Sequence, residues 1–341
     1  MAQLVNGHWV EDVAVPKNPD GGWSRVPAKV HGWIREHGDF PPEKARYHLW
    51  LAWNCTWSQR TLIVRNLLGM QDAFPATMAH WHRNDNGWWF REGLDELVAE
   101  EPQSWEAWNA EKGFVPAEPS PGLPLYRIYQ AHDVQFTGRC TVPALWDRKT
   151  GTMVNNESSE ILKMLQEDCR ALGNGRDLLP AEHREQIQAT NTWVYDAINN
   201  GVYKVGFAHT QGAYERALHT LFSALERCEV LLSEHRYLCG DVLTEADVRL
   251  FPTLVRFDAV YFQHFKCSLK RIVDYPNLSA YLCDLYQTPG FAETVDVHFT
   301  KLGYMGRSER LNPSRIIPPG PALDWDAPHG RGGEAVIATG G

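Results

Sequence analysis

One cysteine stands where a thiol can become reactive. Cys55 follows an apolar run, 47–53, and the residues after it have helical spacing, with Ile63, Leu67 and Met70 at i, i+4 and i+7. At a helix N-terminus, unpaired backbone N–H groups and the positive end of the helix dipole stabilise a thiolate. Most cysteines are instead small buried residues that pack like alanine. The junction of strand and helix favours the reactive interpretation for Cys55.

Other catalytic chemistries lack their sequence signatures. The only close pair of histidines is His80 and His82, and no cysteine or carboxylate cluster with zinc-like spacing accompanies it, so we predict no metal site. The chain also has no GxGxxG segment after a strand, no Walker loop and no GxSxG elbow. We therefore expect neither a nucleotide cofactor nor serine hydrolase chemistry.

Composition predicts a cytoplasmic protein. The 33 basic and 42 acidic residues leave a net charge of -9 without a concentrated basic patch, so no nucleic-acid partner is expected. The first residues lack a basic segment followed by an apolar core, and no run of about 18 apolar residues occurs, which predicts no membrane association. The seven cysteines form no CxxC pair, and this pattern fits free thiols in a reducing compartment.

The elements around Cys55 are expected to form an α/β unit. Residues 74–81 have the composition of the next strand, and 141–147 and 152–154 are predicted to form a hairpin that turns at 148–151. A helix carrying Ile161, Leu162 and Leu165 follows. Arg60 and Arg65 fall outside the apolar stripe of the helix after Cys55.

The second half of the chain is expected to be helical. Its longest apolar stripe, in steps of three and four, predicts a helix of roughly six turns and contains Tyr214, Leu218, Leu221, Leu225, Cys228 and Leu232. Cys228 is thus expected in the core. Shorter stripes predict an earlier and a later helix, and Thr244 and Asp247 have capping-box spacing.

The proposed organisation has an N-terminal extension over 1–45 without clear periodicity, an α/β domain over 46–168, a helical domain over 178–311 and a tail over 312–341. Residues 83–122, rich in proline and glycine, are expected to form a long loop inserted in the first domain. Within the tail, residues 330–341 are expected to fray.

Short motifs occur in order along nearly the whole chain: Arg46-Tyr47-His48-Leu49, Cys55-x-Trp57-x-x-Arg60, Asn86-Gly87-Trp88, Gly138-Arg139-x-Thr141-Val142-Pro143, Asn156-Glu157-Ser158, Asn200-Gly201-Val202-Tyr203 and Leu243-Thr244-Glu245-Ala246-Asp247. Together they resemble the glutathionyl-hydroquinone reductases, the Xi class of the glutathione transferases. The resemblance implies an α/β thioredoxin-like N-terminal domain, an all-α C-terminal domain and a homodimer. It also implies glutathione as co-substrate.

The same resemblance assigns residues to the two substrates. Cys55 would attack the sulfur of a glutathionyl-hydroquinone and leave a mixed disulfide for a second glutathione to resolve. Tyr203 and Tyr304 would serve the hydroquinone ring oxygen, although each tyrosine taken alone has the character of an ordinary buried aromatic residue. The implied glutathione contacts are Trp88, Arg139, Val142, the cis-proline Pro143, Glu157 and Ser158.

Several of these assignments have a plain structural alternative. Pro143 alone could open a strand, Ser158 could simply begin a helix and Trp88 could be a packing aromatic. The chain also departs from the usual family sequence Cys-Pro-Trp-Ala-His-Arg, because Thr56, Ser58 and Gln59 follow Cys55. Three functions therefore remain open: hydroquinone release, thiol transfer or reductive dehalogenation on other adducts, and non-catalytic binding on a glutathione transferase fold.

Overall fold

The chain divides into two compact units, Met1–Val15 with Pro27–Asn174 and Pro16–Val26 with Gly175–Gly341. The computed structural model describes residues 2–11, 13, 18–81, 86–90, 110–112, 114, 123–306 and 310–340. Most of the loop predicted over 83–122 lies outside the described residues. The same is true of His82, the second member of the close histidine pair.

Among its described residues, the first unit combines strands and three helices. Its strands are β1 Gln3–Val5, β2 His8–Val10, β3 Tyr47–Ala52, β4 Ala76–Ala79, β5 Trp89–Phe90, β6 Leu123–Pro124, β7 Ala144–Asp147 and β8 Thr152–Asn155. Its helices are α1 Thr56–Leu67, α2 Tyr126–His132 and α3 Ser158–Gln166, with a 3-10 turn at Arg170–Leu172.

A mixed four-stranded sheet forms the centre of this unit, in the order β4-β3-β7-β8. β3 pairs parallel with β4 and antiparallel with β7, which pairs antiparallel with β8. Every residue of β3 is buried, as expected for the middle of a covered sheet. This sheet with its helices confirms the α/β fold predicted for the first domain, including the strand after α1 and the hairpin before α3.

The burial of α1 exceeds what its apolar stripe predicts. Arg60 is 1% exposed and Arg65 is 4% exposed, although both lie outside the stripe. Arg65 donates through Nε to the carbonyl oxygen of Phe74 at 2.7 Å and through Nη2 to that of Gln71 at 3.0 Å. Buried guanidinium groups are tolerated when polar partners satisfy them, and here the partners come from outside the helix.

The N-terminal segment contains a hairpin that was not predicted. β1 and β2 pair antiparallel through a two-residue turn at Asn6 and Gly7, whose φ angles are 47° and 76°. Asn-Gly is the preferred sequence for this turn type because both positions need positive φ. Leu4 and Gly138 exchange backbone hydrogen bonds of 3.0 and 2.9 Å, which attach the hairpin to the rest of the unit.

The second unit is mainly helical. Its helices are α4 Arg184–Trp193, α5 Gly201–Gly206, α6 Gln211–Glu234, α7 Glu245–Arg256, α8 Phe262–His264, α9 Pro276–Gln287 and α10 Val297–Met305. π-Helical segments at Val194–Asn199 and Phe257–Tyr261 precede α5 and α8, and 3-10 turns lie at Ala181–His183, Ile272–Asp274 and Ala292–Thr294. Two short strands, β9 Arg176–Asp177 and β10 Ala338–Thr339, pair antiparallel. The all-α domain is thereby confirmed.

Local features of this unit match the sequence prediction. Cys228 is fully buried on α6, and burial raises the pKa of its thiol well above the ordinary value. At the start of α7, Asp247 accepts hydrogen bonds from the Thr244 backbone at 2.8 Å and from the Thr244 hydroxyl at 3.0 Å. The predicted capping box is therefore present.

The C-terminal tail was expected to fray over 330–341, and this prediction is wrong for the residues that the structure describes. β10 pairs with β9, and the Val336 carbonyl oxygen accepts the Leu243 N–H at 2.8 Å. Arg331 donates through Nη2 to the carbonyl oxygens of Leu232, His235 and Arg236 at 3.0, 2.6 and 2.9 Å, at the C-terminal end of α6. These partners are distant in sequence, so local composition did not reveal them.

Two further findings concern membrane spans and metal-binding groups. No helix within the described residues is long and apolar enough to cross a membrane. Over the same residues, no three histidine, cysteine or acidic side chains gather into a group suited to hold a metal ion.

Candidate active site

Cys55 is the N-cap of α1. Its backbone is extended, with φ −98° and ψ 114°, and the Ser58 N–H donates to its Sγ at 3.4 Å. Sγ also lies 3.4 Å from the carbonyl oxygen of Val142, to which a protonated thiol donates. A thiolate has no proton for Val142, whereas it retains the donor from Ser58. The half-buried sulfur thus lies at the helix start that the sequence predicted.

The segment before β7 lies next to this sulfur. The Val142–Pro143 peptide bond is cis, as the family resemblance implied for Pro143. Val142 and Trp88 belong to one buried apolar cluster, against which Cys55 packs. Trp88 is 6% exposed, and its carbonyl oxygen accepts the Leu125 N–H at 2.7 Å. The structure therefore brings Cys55, Val142 and Trp88 together, while Arg139 lies half-buried four residues before Pro143.

The N-terminus of α3 carries the other two predicted glutathione contacts. Glu157 is its N-cap and accepts from the Ser159 N–H at 3.0 Å. The hydroxyl of Ser158 accepts from Nη2 and Nε of Arg60 at 2.6 and 3.1 Å. Arg60 Nη2 also lies 3.5 Å from a Glu157 carboxylate oxygen. A carboxylate, a hydroxyl and a helix N-terminus thus meet beside a buried cation, a combination suited to an amino-acid zwitterion.

Sequence reasoning did not assign a role to Arg60. The residue lies on α1 five positions after Cys55 and reaches α3, whose Ser158 is 98 residues away in the chain. The motif Cys55-x-Trp57-x-x-Arg60 already included this arginine, and that was the signal by which its role could have been recognised. One helix therefore carries the thiol at its N-cap and, through Arg60, contacts the polar groups at the start of α3.

In the second unit, the predicted tyrosines form a hydroxyl chain with a third one. The hydroxyl oxygens of Tyr203 and Tyr304 are 2.7 Å apart, and those of Tyr304 and Tyr261 are 3.1 Å apart. Tyr261 is fully buried, and burial raises the pKa of Tyr261 and of Tyr304 well above the ordinary value. Both phenols therefore stay protonated at neutral pH. Sequence reasoning missed Tyr261.

Aromatic and cationic groups surround this tyrosine chain. The ring of Phe265 lies 5.5 Å from that of Tyr203 and 5.7 Å from that of Tyr304. The indole of Trp23 stacks on Tyr203 at 5.8 Å, and the guanidinium carbon of Arg25 lies 5.2 Å from the Tyr203 ring centroid. Burial lowers the pKa of His264 to about 4, so this neighbour is neutral at pH 7. The cluster suits an uncharged aromatic ring with oxygen substituents.

The two units define the class of protein: a glutathione transferase. The model of the glutathione S-transferase N-terminal domain matches residues 54–168, and that of the C-terminal domain matches residues 211–282. Glutathionyl-hydroquinone reductase YqjG from Escherichia coli is 39% identical over 340 residues, which cover 97% of this chain and 98% of the relative. Glutathionyl-hydroquinone reductase PcpF from Sphingobium chlorophenolicum is 40% identical over 325 residues, which cover 94% and 97%.

Solved structures lead to the same class. The glutathione-bound YqjG structure has a TM-score of 0.83 at 38% identity, covering 96% of this chain and 98% of that chain. An Xi class transferase from Natrialba magadii has a TM-score of 0.85 at 36% identity, covering 98% of both chains. This chain belongs to the glutathione transferase family, in its Xi class of glutathionyl-hydroquinone reductases.

Proposed function

We propose that this protein reduces glutathionyl-hydroquinones to hydroquinones with glutathione, through a mixed disulfide on Cys55. The observation that carries the proposal is the Cys55 sulfur at the N-cap of α1, with the Ser58 N–H at 3.4 Å and the Val142 carbonyl at the same distance. The relatives named glutathionyl-hydroquinone reductases support the choice of substrate.

The proposed chemistry has two steps. The Cys55 thiolate attacks the sulfur of the aryl thioether, a sulfur–sulfur bond forms, and the aryl carbon–sulfur bond breaks with its electron pair remaining on the ring. A proton on that ring carbon completes the hydroquinone. A second glutathione then attacks the glutathionyl sulfur of the mixed disulfide, which releases oxidised glutathione and regenerates the Cys55 thiolate. The ring gains two electrons, and two thiol-derived sulfurs lose them.

The glutathionyl group has matching partners in the first unit. The γ-glutamyl amine would pair with Glu157, and its carboxylate would accept from the Ser158 hydroxyl and the α3 N-terminus. The Ser158 oxygen already accepts from Arg60, so the hydroxyl proton is the one directed to a ligand. Val142 beside Pro143 would pair with the cysteinyl backbone, and Trp88 and Arg139 would complete the contacts.

The hydroquinone ring is assigned to the second unit's tyrosines. A phenol that donates to a ring oxygen stabilises the keto tautomer, from which the carbon–sulfur bond breaks more readily. Tyr203 and Tyr304 would provide this stabilisation, and the aromatic rings of the cluster support an aromatic substrate. Tyr203, Tyr304 and Cys55 are thus the proposed catalytic residues.

A competition between substrates tests the proposal. Purified protein with glutathione is assayed against a glutathionyl-hydroquinone, a glutathione mixed disulfide and a halogenated hydroquinone, and products are identified by mass spectrometry. We expect preferential formation of hydroquinone and oxidised glutathione. Preference for the mixed disulfide or the halogenated ring would assign thiol transfer or reductive dehalogenation instead. Glutathione binding without turnover of any adduct would identify a binding protein.

We further propose a cytoplasmic homodimer that needs no metal and has no nucleic-acid or membrane partner. The free cysteines support a reducing compartment. Light scattering at several concentrations tests the dimer, and assays with and without a chelator test the independence from metal.

A further inference from the structure

A buried hydrogen-bond network joins the two segments of the first unit that are assigned to glutathione. Tyr129 is a fully buried residue of α2, and its hydroxyl donates to the Thr141 carbonyl oxygen at 2.7 Å. The same hydroxyl accepts from the Thr141 N–H at 3.0 Å, so one side chain satisfies both backbone groups of that residue. Val142, whose carbonyl oxygen contacts the Cys55 sulfur, follows Thr141 directly. Tyr129 therefore holds the segment that lies beside the reactive thiol.

Asn156 extends the network to the start of α3. Its Nδ2 donates to the Tyr129 hydroxyl at 3.0 Å and to the Thr141 hydroxyl at 3.3 Å. Its Oδ1 accepts from the Val30 N–H at 3.0 Å, which fixes the direction in which the amide group points. Asn156 is 5% exposed and immediately precedes Glu157, the N-cap of α3. A single buried amide thus connects the γ-glutamyl side of the site to the tyrosine.

The Tyr129 hydroxyl is the central group of this network. It donates once and accepts twice, so both of its hydrogen-bonding roles are used. Burial raises the pKa of Tyr129 to about 12, so the donated proton stays in place at neutral pH. Buried polar networks are rigid when every member is satisfied, and loss of one hydroxyl would remove a partner from Thr141 and from Asn156 together. The network therefore keeps the two segments at a fixed separation.

We propose that Tyr129 is a positioning residue for glutathione that, together with Asn156, fixes the separation between these two segments. The inference rests on the proposed function, in which Val142 pairs with the cysteinyl unit and Glu157 with the γ-glutamyl amine. A ligand that spans both segments binds more tightly when their separation is set in advance, because binding does not have to order them. A ligand that contacts only one segment gains nothing from this separation.

Two peptides that differ in this respect test the proposal. S-methylglutathione contains both units, S-methylcysteinylglycine lacks the γ-glutamyl unit, and NMR titration of the full-length protein measures the Kd of each. Tyr129→Phe should raise the Kd for S-methylglutathione about tenfold and leave that for S-methylcysteinylglycine unchanged. An unchanged Kd for S-methylglutathione would overturn the proposal. Equal losses for both peptides would also overturn it, since they would show damage to the cysteinyl segment alone.

Tyr47→Phe is the matched control. Tyr47 is also fully buried in the first unit, and its hydroxyl also donates to a backbone carbonyl oxygen, that of Pro41, at 2.7 Å. Pro41 is not among the assigned glutathione contacts, so this variant should keep both parental Kd values. A tenfold loss of S-methylglutathione affinity in Tyr47→Phe would overturn the proposal, because it would show that the loss of any buried hydroxyl in this unit weakens binding.

Thr141→Val tests the same network with a smaller change, in case Tyr129→Phe does not fold. It replaces the hydroxyl that accepts from Asn156 and leaves the Thr141 backbone bonded to Tyr129. We expect about threefold weaker binding of S-methylglutathione and an unchanged Kd for the dipeptide, and no loss would overturn the proposal. Because binding is measured without turnover, a parent protein that binds S-methylglutathione but reduces no glutathionyl-hydroquinone would refute the proposed function and leave the positioning role in place.

Discussion

The Cys55 sulfur has two partners, and only its contact with the Val142 carbonyl depends on the thiol proton. The Val142 carbonyl accepts from a thiol, and the Ser58 N–H donates to a thiolate, each at 3.4 Å. Ionisation therefore removes the hydrogen bond to Val142 and strengthens the existing one from the Ser58 N–H at the helix N-terminus. In the proposed mechanism, the Val142 carbonyl oxygen that a thiolate no longer contacts would accept a glutathione backbone N–H.

The residue after Cys55 gives the first prediction. Thr56 is the first residue of α1, and Cys55 before it has ψ 114°, which are the conformations that proline and its preceding residue require. Thr56→Pro should therefore raise the free energy of unfolding by about 0.4–1 kcal/mol, because proline reduces the conformational entropy of the unfolded chain. Urea denaturation measures this change. Thr61→Pro, the same change inside α1, is the control and should destabilise by about 3 kcal/mol or more; equal destabilisation by both would contradict the account.

A buried ion pair gives the second prediction, a pH dependence. Arg46 Nη2 lies 2.6 Å from Asp147, whose side chain is fully buried, so Asp147→Asn should destabilise by about 3–5 kcal/mol at pH 7. Burial alone would raise the pKa of Asp147, but hydrogen bonds from Arg46, Thr150 and Lys149 outweigh it and lower that pKa. The stabilisation is therefore present above the unfolded pKa of about 3.9 and is lost as pH falls through the folded one.

Denaturation at a series of pH values measures this effect. The difference in stability between the parent and Asp147→Asn should be largest near pH 7 and should shrink below about pH 4. Asp274→Asn removes the carboxylate of an exposed pair with Arg271 and should have a much smaller effect. A difference that stays constant down to pH 2 would mean that the lost interaction is not between charges.

At the scale of single elements, the cap of α7 gives the third prediction. Thr244 is fully buried, and its hydroxyl and backbone both donate to Asp247. Thr244→Ala should lower the free energy of unfolding by about 0.5–2 kcal/mol without changing kcat. Thr210→Ala at the exposed N-cap of α6 is the matched control and should cause a smaller loss. Loss of turnover in the folded Thr244→Ala variant would contradict a purely structural cap.

A structural feature could be predicted from the sequence when the residues that cause it are neighbours in the chain. The N-terminus of α1 at Cys55 and the cap at Thr244 follow from neighbouring residues, and both are where they were predicted. The burial of Arg60 was not predictable, because its partner Ser158 is supplied by a different helix. Tyr261 contacts Tyr304 of α10, which in turn contacts Tyr203 of α5, so no helical periodicity in the sequence could reveal it. The Asn6-Gly7 turn is different, since its dipeptide was a usable hairpin signal.

For the whole molecule, the stability of the second unit depends on Arg331, which lies near the C-terminal end of the chain. Arg331 bonds three carbonyl oxygens at the C-terminal end of α6, where carbonyls lack partners within the helix. Arg331→Met should therefore reduce the stability of the helical unit by about 1.5–3 kcal/mol. Hydrogen exchange should show faster opening of the last turn of α6. Arg271→Met, which changes an exposed cation in the same unit, should leave that turn unchanged; similar effects from both would contradict the role of Arg331.

The proposed mechanism requires Cys55 to receive the glutathionyl group from the substrate. A single turnover with excess protein, one equivalent of glutathionyl-hydroquinone and no free glutathione isolates this step. We predict hydroquinone release in equal amount to a glutathione adduct, located on Cys55 and absent from Cys228 by peptide mass spectrometry. Cys55→Ser should form neither product, because its alcohol stays protonated. Hydroquinone release by Cys55→Ser, or release by the parent protein without an adduct on Cys55, would contradict the account.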